Sequence, residues 1–269
     1  MAKSSLKNLL TLVNEAKKQS PVAESFLQDY LQSIERTANS NKHKPSAHYK
    51  PSSLNCIRNM FYQIVEQEPD SSIKEAPLIG IGESGTDRHE HLQNAVIEMK
   101  KNGFACEYLD VAKYVEQKEL PGIIVKGKRG IETQLFNETW NISFLCDGII
   151  KYRGELYIIE FKTEVSRKFV TRNDVDEDHK RQAIAYSLSL GLDKIIFVYE
   201  NRDTCEKKCY LLEITEKMKK DLIQLIQDCD DYVDANIVPP KPVGIKAKIC
   251  QYCIYRSQSV SYTHLTLPT

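Results

Sequence analysis

The sequence lacks long hydrophobic runs and any excess of charge of one sign. No stretch approaches the roughly 18 consecutive apolar residues that a transmembrane helix requires, so we expect no membrane partner. Lysine plus arginine and aspartate plus glutamate balance at 37 each. This balance gives no global sign of nucleic-acid binding, although a local basic groove is compatible with it. Internal repeats and low-complexity tracts are also absent from the sequence.

A secretory signal is not expected either. The first residues, MAKSSLKNLLTLVNEAKKQ, interrupt their apolar positions with charges and offer no small-residue cleavage site. We therefore expect a cytoplasmic protein, in which thiols stay reduced. In that compartment, eight cysteines are expected as free core thiols or metal ligands rather than as disulfides.

Apolar periodicity predicts an α/β fold. Helical spacing covers four main segments, which run from about Ser4 to Arg36, from near Ser84 to Gly103, from about Asp174 to Leu190 and from about Glu216 to Ala235. Strand-like runs read GIIVKGK, GIETQLF, NISFLCDGIIKY, ELYIIEFKT, KIIFVYEN and KKCYLLEIT. Because helices alternate with and flank these strands, we expect a mixed sheet covered by helices on both faces.

The segment from Phe144 to Glu164, FLCDGIIKYRGELYIIEFKTE, reads as an apolar hairpin that carries charges in its strands. If its Arg-Gly pair forms the tip of a symmetric turn, Asp147 lies opposite Glu160 and Leu145 lies opposite Lys162, although a bulge would shift this register. Side-chain alternation then places Asp147, Glu160 and Lys162 on one face. The same face carries Ile149 and Ile158, and the other carries Cys146, Ile150, Tyr157, Ile159 and Phe161. Since both faces are largely apolar, two interior strands are expected.

Two carboxylates that face each other in a sheet repel, and buried charges without partners cost several kcal/mol. A divalent cation removes this conflict, because oxygen ligands suit Mg²⁺ or Mn²⁺. Lys162, on the same face, is placed to stabilise charge that develops on a phosphorus centre or to orient an attacking water. The alternative is an ordinary charge cluster on an exposed edge strand.

The pattern Asp-x12-Glu-x-Lys on a hairpin resembles the signature of the PD-(D/E)XK nucleases. Upstream, GTDRHEHLQ is similar to the Gly-Thr-x-x-His-Glu helix of the RecB-like branch, which implies a metal-ligand role for His89. Downstream, RQAIAYSLSLG resembles the Gln-x-x-x-Tyr motif of that branch, with Gln182 and Tyr186 on one helix face. The resemblance implies that these two residues contact the DNA backbone or support the site. Taken singly, each of the three is also typical of an ordinary helix surface or core.

The cysteine pattern extends the resemblance. Cys56 lies before the hairpin, and Cys250 and Cys253 form a Cys-x-x-Cys after it. This is similar to RecB-like exonucleases, among them AddB-type and CRISPR-adaptation enzymes, that hold a 4Fe–4S cluster with one N-terminal and three C-terminal cysteines. Thiolates at this spacing suit iron–sulfur or zinc. The fourth ligand is missing, because Ser259 stands at its position. Two incidental thiols are the alternative for Cys250 and Cys253.

The resemblance implies a restriction-endonuclease-like core at residues 46–258, behind an N-terminal helical extension at residues 1–45. The remaining tail, SVSYTHLTLPT at residues 259–269, is unlike the rest of the chain and resembles translated sequencing-adapter read-through. We therefore expect the tail to be non-native and the natural protein to continue past Gln258 with the missing cysteine.

The activity implied is that of a metal-dependent DNA nuclease, most similar to exonucleases in recombination, repair or phage DNA processing. The implied ligands of one or two Mg²⁺ or Mn²⁺ ions are His89, Asp147, Glu160 and the Phe161 carbonyl, with Lys162 as the catalytic lysine. No Gly-x-x-x-x-Gly-Lys-Ser/Thr loop occurs, so unwinding would require a helicase or recombination partner. Alternatives are a nickase or structure-specific endonuclease, a catalytically inactive DNA-binding or scaffolding subunit with a structural metal–cysteine site, and an unrelated α/β protein.

Overall fold

A computed structural model gives the structure of the chain and describes residues 20–40, 46–70, 75–241, 250 and 253–260. The chain forms two compact units, Met1–His43 with Ser72–Glu83, and Lys44–Ser71 with Ser84–Thr269. None of the helices in the described ranges is long and apolar enough to cross a membrane.

The first unit contains helix α1, Pro21–Ser40, and the first turns of a long helix that begins at Ala76. The main-chain N–H of Ala76 donates to the Glu35 carboxylate of α1 at 3.0 Å. This bond satisfies one of the amides that a helix leaves unpaired at its start. The predicted helical segment before Pro21 lies outside the described residues.

The second unit is built on a five-stranded sheet with the order β1-β5-β6-β7-β8 and on a three-stranded sheet with the order β2-β3-β4. The strands are β1 Cys106–Leu109, β2 Ile123–Arg129, β3 Glu132–Asn137, β4 Ile142–Cys146, β5 Gly148–Tyr152, β6 Glu155–Glu164, β7 Lys194–Asn201 and β8 Lys207–Glu213. Only β6 and β7 pair in parallel in the larger sheet, which is therefore mixed. The predicted α/β fold with a mixed central sheet is confirmed.

Helices surround these sheets. They are α2 Ile57–Ile64, α3 Ala76–Lys101, α4 Val111–Lys118, α5 Ser166–Thr171, α6 Glu177–Leu190, α7 Glu216–Asp234 and α8 Arg256–Val260. Two buried clusters lie on opposite faces of the central hairpin. One contains Ile149 and Ile158 with residues of α6 and α7, and the other contains Ile150 and Ile159 with Leu92 of α3. Both faces are thus covered, and the prediction that the hairpin strands are interior is confirmed.

The helix boundaries follow local signals. Helix α6 begins after Asp176, whose side chain accepts from the N–H of Asp178, and ends at Gly191 in the left-handed conformation with φ of +65°. Helix α3 ends as predicted before Gly103, but it begins at Ala76 instead of near Ser84. The predictions missed β1, α4, α5 and α8, with 4, 8, 6 and 5 residues respectively, because such short elements hold too few apolar positions to show a period.

The hairpin register is the one predicted. Gly148 pairs with Ile159 and Ile149 with Ile158, around a two-residue turn in which Arg153 and Gly154 both have positive φ, +50° and +92°. Positive φ at both central residues is typical of the hairpin turn whose twist matches that of its strands. The next step of this register places Asp147 opposite Glu160.

The first strand of the hairpin is not continuous, which corrects part of the prediction. It breaks at Asp147, and the residues before the break form β4 of the smaller sheet. Leu145 therefore pairs with Gln134 and not with Lys162, which pairs with Tyr199 on β7. Cys146 likewise belongs to the cluster of Ile149 rather than to that of Ile150. The change of sheet at residue 147 is the physical reason for both corrections.

Candidate metal centre

Asp147 lies at the point where the chain leaves one sheet and enters the other, and it is 4% exposed. Its Oδ2 accepts a hydrogen bond from the main-chain N–H of Phe161 at 2.8 Å. Its main-chain carbonyl accepts from Nε2 of Gln93 and from the hydroxyl of Tyr108, each at 2.8 Å. Both the carboxylate and the backbone of this residue are thus fixed by neighbours.

Two strand registers meet at Asp147. The β3–β4 pairing aligns Thr133 with Cys146, and its next step places Glu132 opposite Asp147. The β5–β6 pairing places Glu160 opposite the same residue. Three carboxylates therefore converge, one from each of three adjacent chain segments, whereas sequence reasoning identified only two of them.

Helix α3 brings His89 to this point. Its Nδ1 lies 3.6 Å from Oδ2 of Asp147 and 3.8 Å from Oε1 of Glu132. Potential ligand atoms of these three residues all lie within 4.8 Å of one another. Burial lowers the pKa of His89, but the carboxylates of Asp147 and Glu132 outweigh burial and raise the pKa to about 9. One imidazole nitrogen with carboxylate oxygens is a donor set that suits a divalent cation.

Glu160 is 2% exposed and lies on β6 beside this group. Burial, followed by the charge of Asp147, raises the pKa of Glu160 to about 7, while Lys162 opposes the shift. Its Oε1 accepts from Nζ of Lys162 at 2.6 Å. Its Oε2 is buried and has no hydrogen-bond partner in the described part of the chain. A buried carboxylate oxygen without a donor is costly, and a cation would satisfy it.

Gln182 links Lys162 to the core of the protein. Its Oε1 accepts from Nζ of Lys162 at 2.9 Å, and its Nε2 donates to the hydroxyl of Tyr186. The Tyr186 ring stacks on Phe144 with a centroid distance of 5.0 Å, and the residue is 2% exposed. Burial raises the pKa of its hydroxyl well above the usual range. Tyr186 is therefore too deep to touch a large substrate, whereas Gln182 is half-buried beside the lysine.

Helix α3, which carries His89, is anchored to the larger sheet by Arg88, the residue just before His89. The guanidinium of Arg88 binds both carboxylate oxygens of Glu200 on β7, with Nη2 to Oε2 at 2.8 Å. Lys207 lies 3.0 Å from the same carboxylate, which is 1% exposed. Bidentate pairs of this kind fix geometry as well as charge. The anchor holds α3 against the sheet next to the metal-ligand candidates.

The three cysteines of the predicted cluster lie near one another. Cys56 precedes α2, and the N–H of Cys253 donates to the carbonyl of Cys250 at 3.4 Å. Burial raises the pKa of Cys253, and the charges of Cys56 and Cys250 raise it further. All eight cysteines are free thiols. Among the described residues, however, the three thiols do not form a group as tight as His89, Glu132 and Asp147. The Ser259 side chain lies outside the described residues.

No protein-family model matches the chain, and no curated protein matches it. Similar solved structures include the crystal structure of SSO0001, which is 18% identical with a TM-score of 0.49 over 89% of this chain and 98% of that one. Another is LHK-Exo in complex with dAMP, 14% identical with a TM-score of 0.42 over 71% and 89%. A second structure of this alkaline exonuclease, from Laribacter hongkongensis, is 13% identical with a TM-score of 0.41 over 71% and 90%. At these values the likeness assigns no activity to this chain.

Proposed function

We propose that this protein is a metal-dependent DNA nuclease with a PD-(D/E)XK site of the RecB-like branch on a restriction-endonuclease-like core. One observation carries the proposal. His89, Glu132 and Asp147 offer ligand atoms within 4.8 Å of one another where two strand registers meet. The β5–β6 register places Glu160 opposite Asp147, and the ammonium of Lys162 lies 2.6 Å from Glu160. A purely structural role does not account for this group, because three buried or half-buried carboxylates gain nothing from mutual proximity.

A divalent cation fits the donors. His89, Asp147 and Glu132 offer ligand atoms within 4.8 Å of one another, and Glu160 adds a buried oxygen that lacks a donor among the described residues. We assign these four residues and the Phe161 carbonyl as the groups that hold Mg²⁺ or Mn²⁺. When bound, the cation supplies an acidified water and offsets the charge of a phosphodiester.

The other catalytic and positioning roles belong to side chains of the protein. Lys162, held between Glu160 and Gln182, presents its ammonium to the negative charge that develops on the phosphate oxygens. Gln182 orients that ammonium, and Tyr186 orients Gln182. Of the two roles implied by the Gln-x-x-x-Tyr motif, support of the site fits the burial of Tyr186 better than contact with DNA.

The finer assignments extend the same proposal. The enzyme acts as an exonuclease on DNA ends in recombination, repair or phage DNA processing, and a helicase or recombination subunit supplies any unwinding. The thiols of Cys56, Cys250 and Cys253 form a three-cysteine site for a cluster of the 4Fe–4S type or for zinc, and the fourth ligand is missing because Ser259 stands at its position. The sequence resemblance supports these assignments, and the effect of Cys56 and Cys250 on the pKa of Cys253 further supports the cysteine site alone.

The test is cleavage of linear and circular DNA, single- and double-stranded, with labels at either end and Mg²⁺ or Mn²⁺ present. We expect linear DNA to be shortened from an end, and Glu160→Gln to abolish this cleavage. Glu164→Gln is the matched control, because Glu164 is a buried carboxylate on the same strand that pairs with Arg172. Cleavage of circles would change the assignment to an endonuclease. DNA binding without cleavage would favour the inactive DNA-binding or scaffolding subunit.

A further inference from the structure

The main-chain carbonyl of Asp147 receives hydrogen bonds from two side chains. Residue 147 lies between the last residue of β4 and the first of β5, so its carbonyl is outside both strand ladders. Nε2 of Gln93 and the hydroxyl of Tyr108 each donate to it at 2.8 Å. A carbonyl oxygen has two lone pairs, and both are used here. The orientation of the 147–148 peptide is thereby fixed from two directions.

The Tyr108 contact is possible because the next residue is a glycine. A β-carbon placed on Gly148 would lie 2.4 Å from Cε2 of Tyr108 and 2.9 Å from its hydroxyl oxygen. Real β-carbons essentially never approach other atoms this closely, so the ring occupies the space that a side chain at 148 would need. Gly148 thus provides the clearance through which the tyrosine on β1 reaches Asp147.

Gln93 donates the other hydrogen bond to the Asp147 carbonyl, and it lies on α3, the helix that also carries His89. It is 1% exposed and lies one turn after His89 on α3, so the two side chains share a face of the helix. The same turn of α3 therefore contacts Asp147 twice, with His89 facing its carboxylate and Gln93 bonded to its carbonyl. The position of His89 relative to Asp147 is set through this pair of contacts.

We propose that Gln93 and Tyr108 are positioning residues that hold the Asp147 carboxylate in its metal-binding orientation. The inference rests on the proposed function, because it assumes a cation between His89 and Asp147. The carboxylate itself is held by the N–H of Phe161. Loss of either bond to the carbonyl frees the peptide to rotate and moves Oδ2 away from the imidazole. Groups that orient metal ligands typically contribute about tenfold or more to metal affinity.

The experiment measures Mn²⁺ affinity by calorimetry, with melting temperature, for the unsubstituted protein and three variants. Tyr108→Phe removes one hydroxyl and keeps the ring over Gly148. Gln93→Leu removes the other donor with little change in volume. Tyr114→Phe is the control, because it removes a buried tyrosine hydroxyl that donates to a main-chain carbonyl, that of Leu190 at 3.3 Å, in another part of the fold.

We expect Tyr108→Phe and Gln93→Leu each to weaken Mn²⁺ binding about tenfold, while Tyr114→Phe leaves it unchanged at a similar melting temperature. Equal Mn²⁺ affinity in all four proteins overturns the positioning role and leaves the proposed function standing. Equal weakening in the control also overturns it, because general loosening then explains the loss. If the unsubstituted protein binds no Mn²⁺, both proposals fail together. Should Tyr108→Phe not fold, Gln93→Leu decides the question alone.

Discussion

The carboxylate of Asp147 is bonded to the main chain of Phe161, with Oδ2 2.8 Å from the N–H. Glu160 is the residue just before Phe161 on β6. The same backbone segment therefore bonds the Asp147 carboxylate and carries the second carboxylate, that of Glu160. The two acids are thus held together although their charges repel. Nζ of Lys162, 2.6 Å from Oε1 of Glu160, and the imidazole of His89 offset part of this repulsion, and we propose that a divalent cation offsets the rest.

Glu160 and His89 should lower the stability of the metal-free protein as pH rises. The folded pKa of Glu160 is about 7, above its ordinary value of 4.5, and the folded pKa of His89 is about 9, above its ordinary value of 6.5. In each case the folded state holds a proton that the unfolded state has released, so stability falls from pH 4.5 to 7 through Glu160 and from pH 6.5 to 9 through His89. We expect the melting-temperature increase caused by Mn²⁺ to grow over the same range. If Mn²⁺ raised the melting temperature equally at pH 6 and pH 9, the assignment of Glu160 and His89 as metal ligands would be wrong.

Lys162→Met should separate metal binding from catalysis. The ammonium bonds Glu160 and Gln182 and contributes no ligand atom, so Mn²⁺ affinity should change little. Removal of one preorganised group that stabilises transition-state charge costs about 10²- to 10³-fold in turnover. The measurement is kcat for DNA cleavage beside Mn²⁺ affinity. Lys194→Met is the control, because Lys194 forms an ion pair with Glu155 near the hairpin turn. Near-normal turnover in Lys162→Met would remove the lysine from the mechanism.

Tyr186→Phe should lower turnover without weakening DNA binding. The hydroxyl accepts the hydrogen bond that orients Gln182, and its burial keeps it from a nucleic acid. The loss of one such bond corresponds to about two- to tenfold in rate. Single-turnover rates and DNA affinity, measured on the same variant, test this. A marked loss of DNA affinity with an unchanged cleavage rate would instead assign the residue to the binding surface.

His179 should make the protein acid-sensitive. Its Nδ1 lies 2.8 Å from the Tyr199 hydroxyl, and burial, followed by the charge of Lys162, lowers its pKa to about 3. Below pH 6.5 the unfolded state binds a proton that the folded state does not, so stability falls by up to about 1.4 kcal/mol per pH unit through this group. In urea unfolding between pH 7 and 4.5, the unfolding free energy of the unsubstituted protein minus that of His179→Gln should fall as pH falls, because the effect of Glu160 is common to both proteins. Parallel curves would exclude His179 as the cause.

Much of the hairpin could be predicted from the sequence, because its register depends on local features. A two-residue turn and side-chain alternation suffice to place Asp147 opposite Glu160, and the structure has the register whose next step gives this placement. The order of helices and strands along the chain was likewise sufficient to predict the mixed sheet. Gln182 and Tyr186 were placed on one helix face by their spacing alone, and they are bonded to each other.

Other features depend on contacts between distant segments and could not be predicted in this way. The change of sheet at Asp147 requires knowledge of the β3–β4 pairing, and Glu132 was missed for that reason. A signal did exist, because the segment from Asn137 to Ile142 can form a turn whose register places Glu132 opposite Asp147. No such signal exists for Gln93 and Tyr108, since both donate to the main-chain carbonyl of Asp147, which lies outside the strand ladders.

Metal-dependent rescue of cleavage is the sharpest test of Asp147 as a ligand of the catalytic ion. Protein stripped of metal is mixed with end-labelled linear DNA, and Mn²⁺ is then added to the unsubstituted chain and to Asp147→Asn. We expect no cleavage before Mn²⁺, shortening of the DNA after it, and no rescue of the variant. Cleavage that proceeds without a divalent cation, or that Asp147→Asn retains, would contradict a metal-dependent nuclease centred on Asp147.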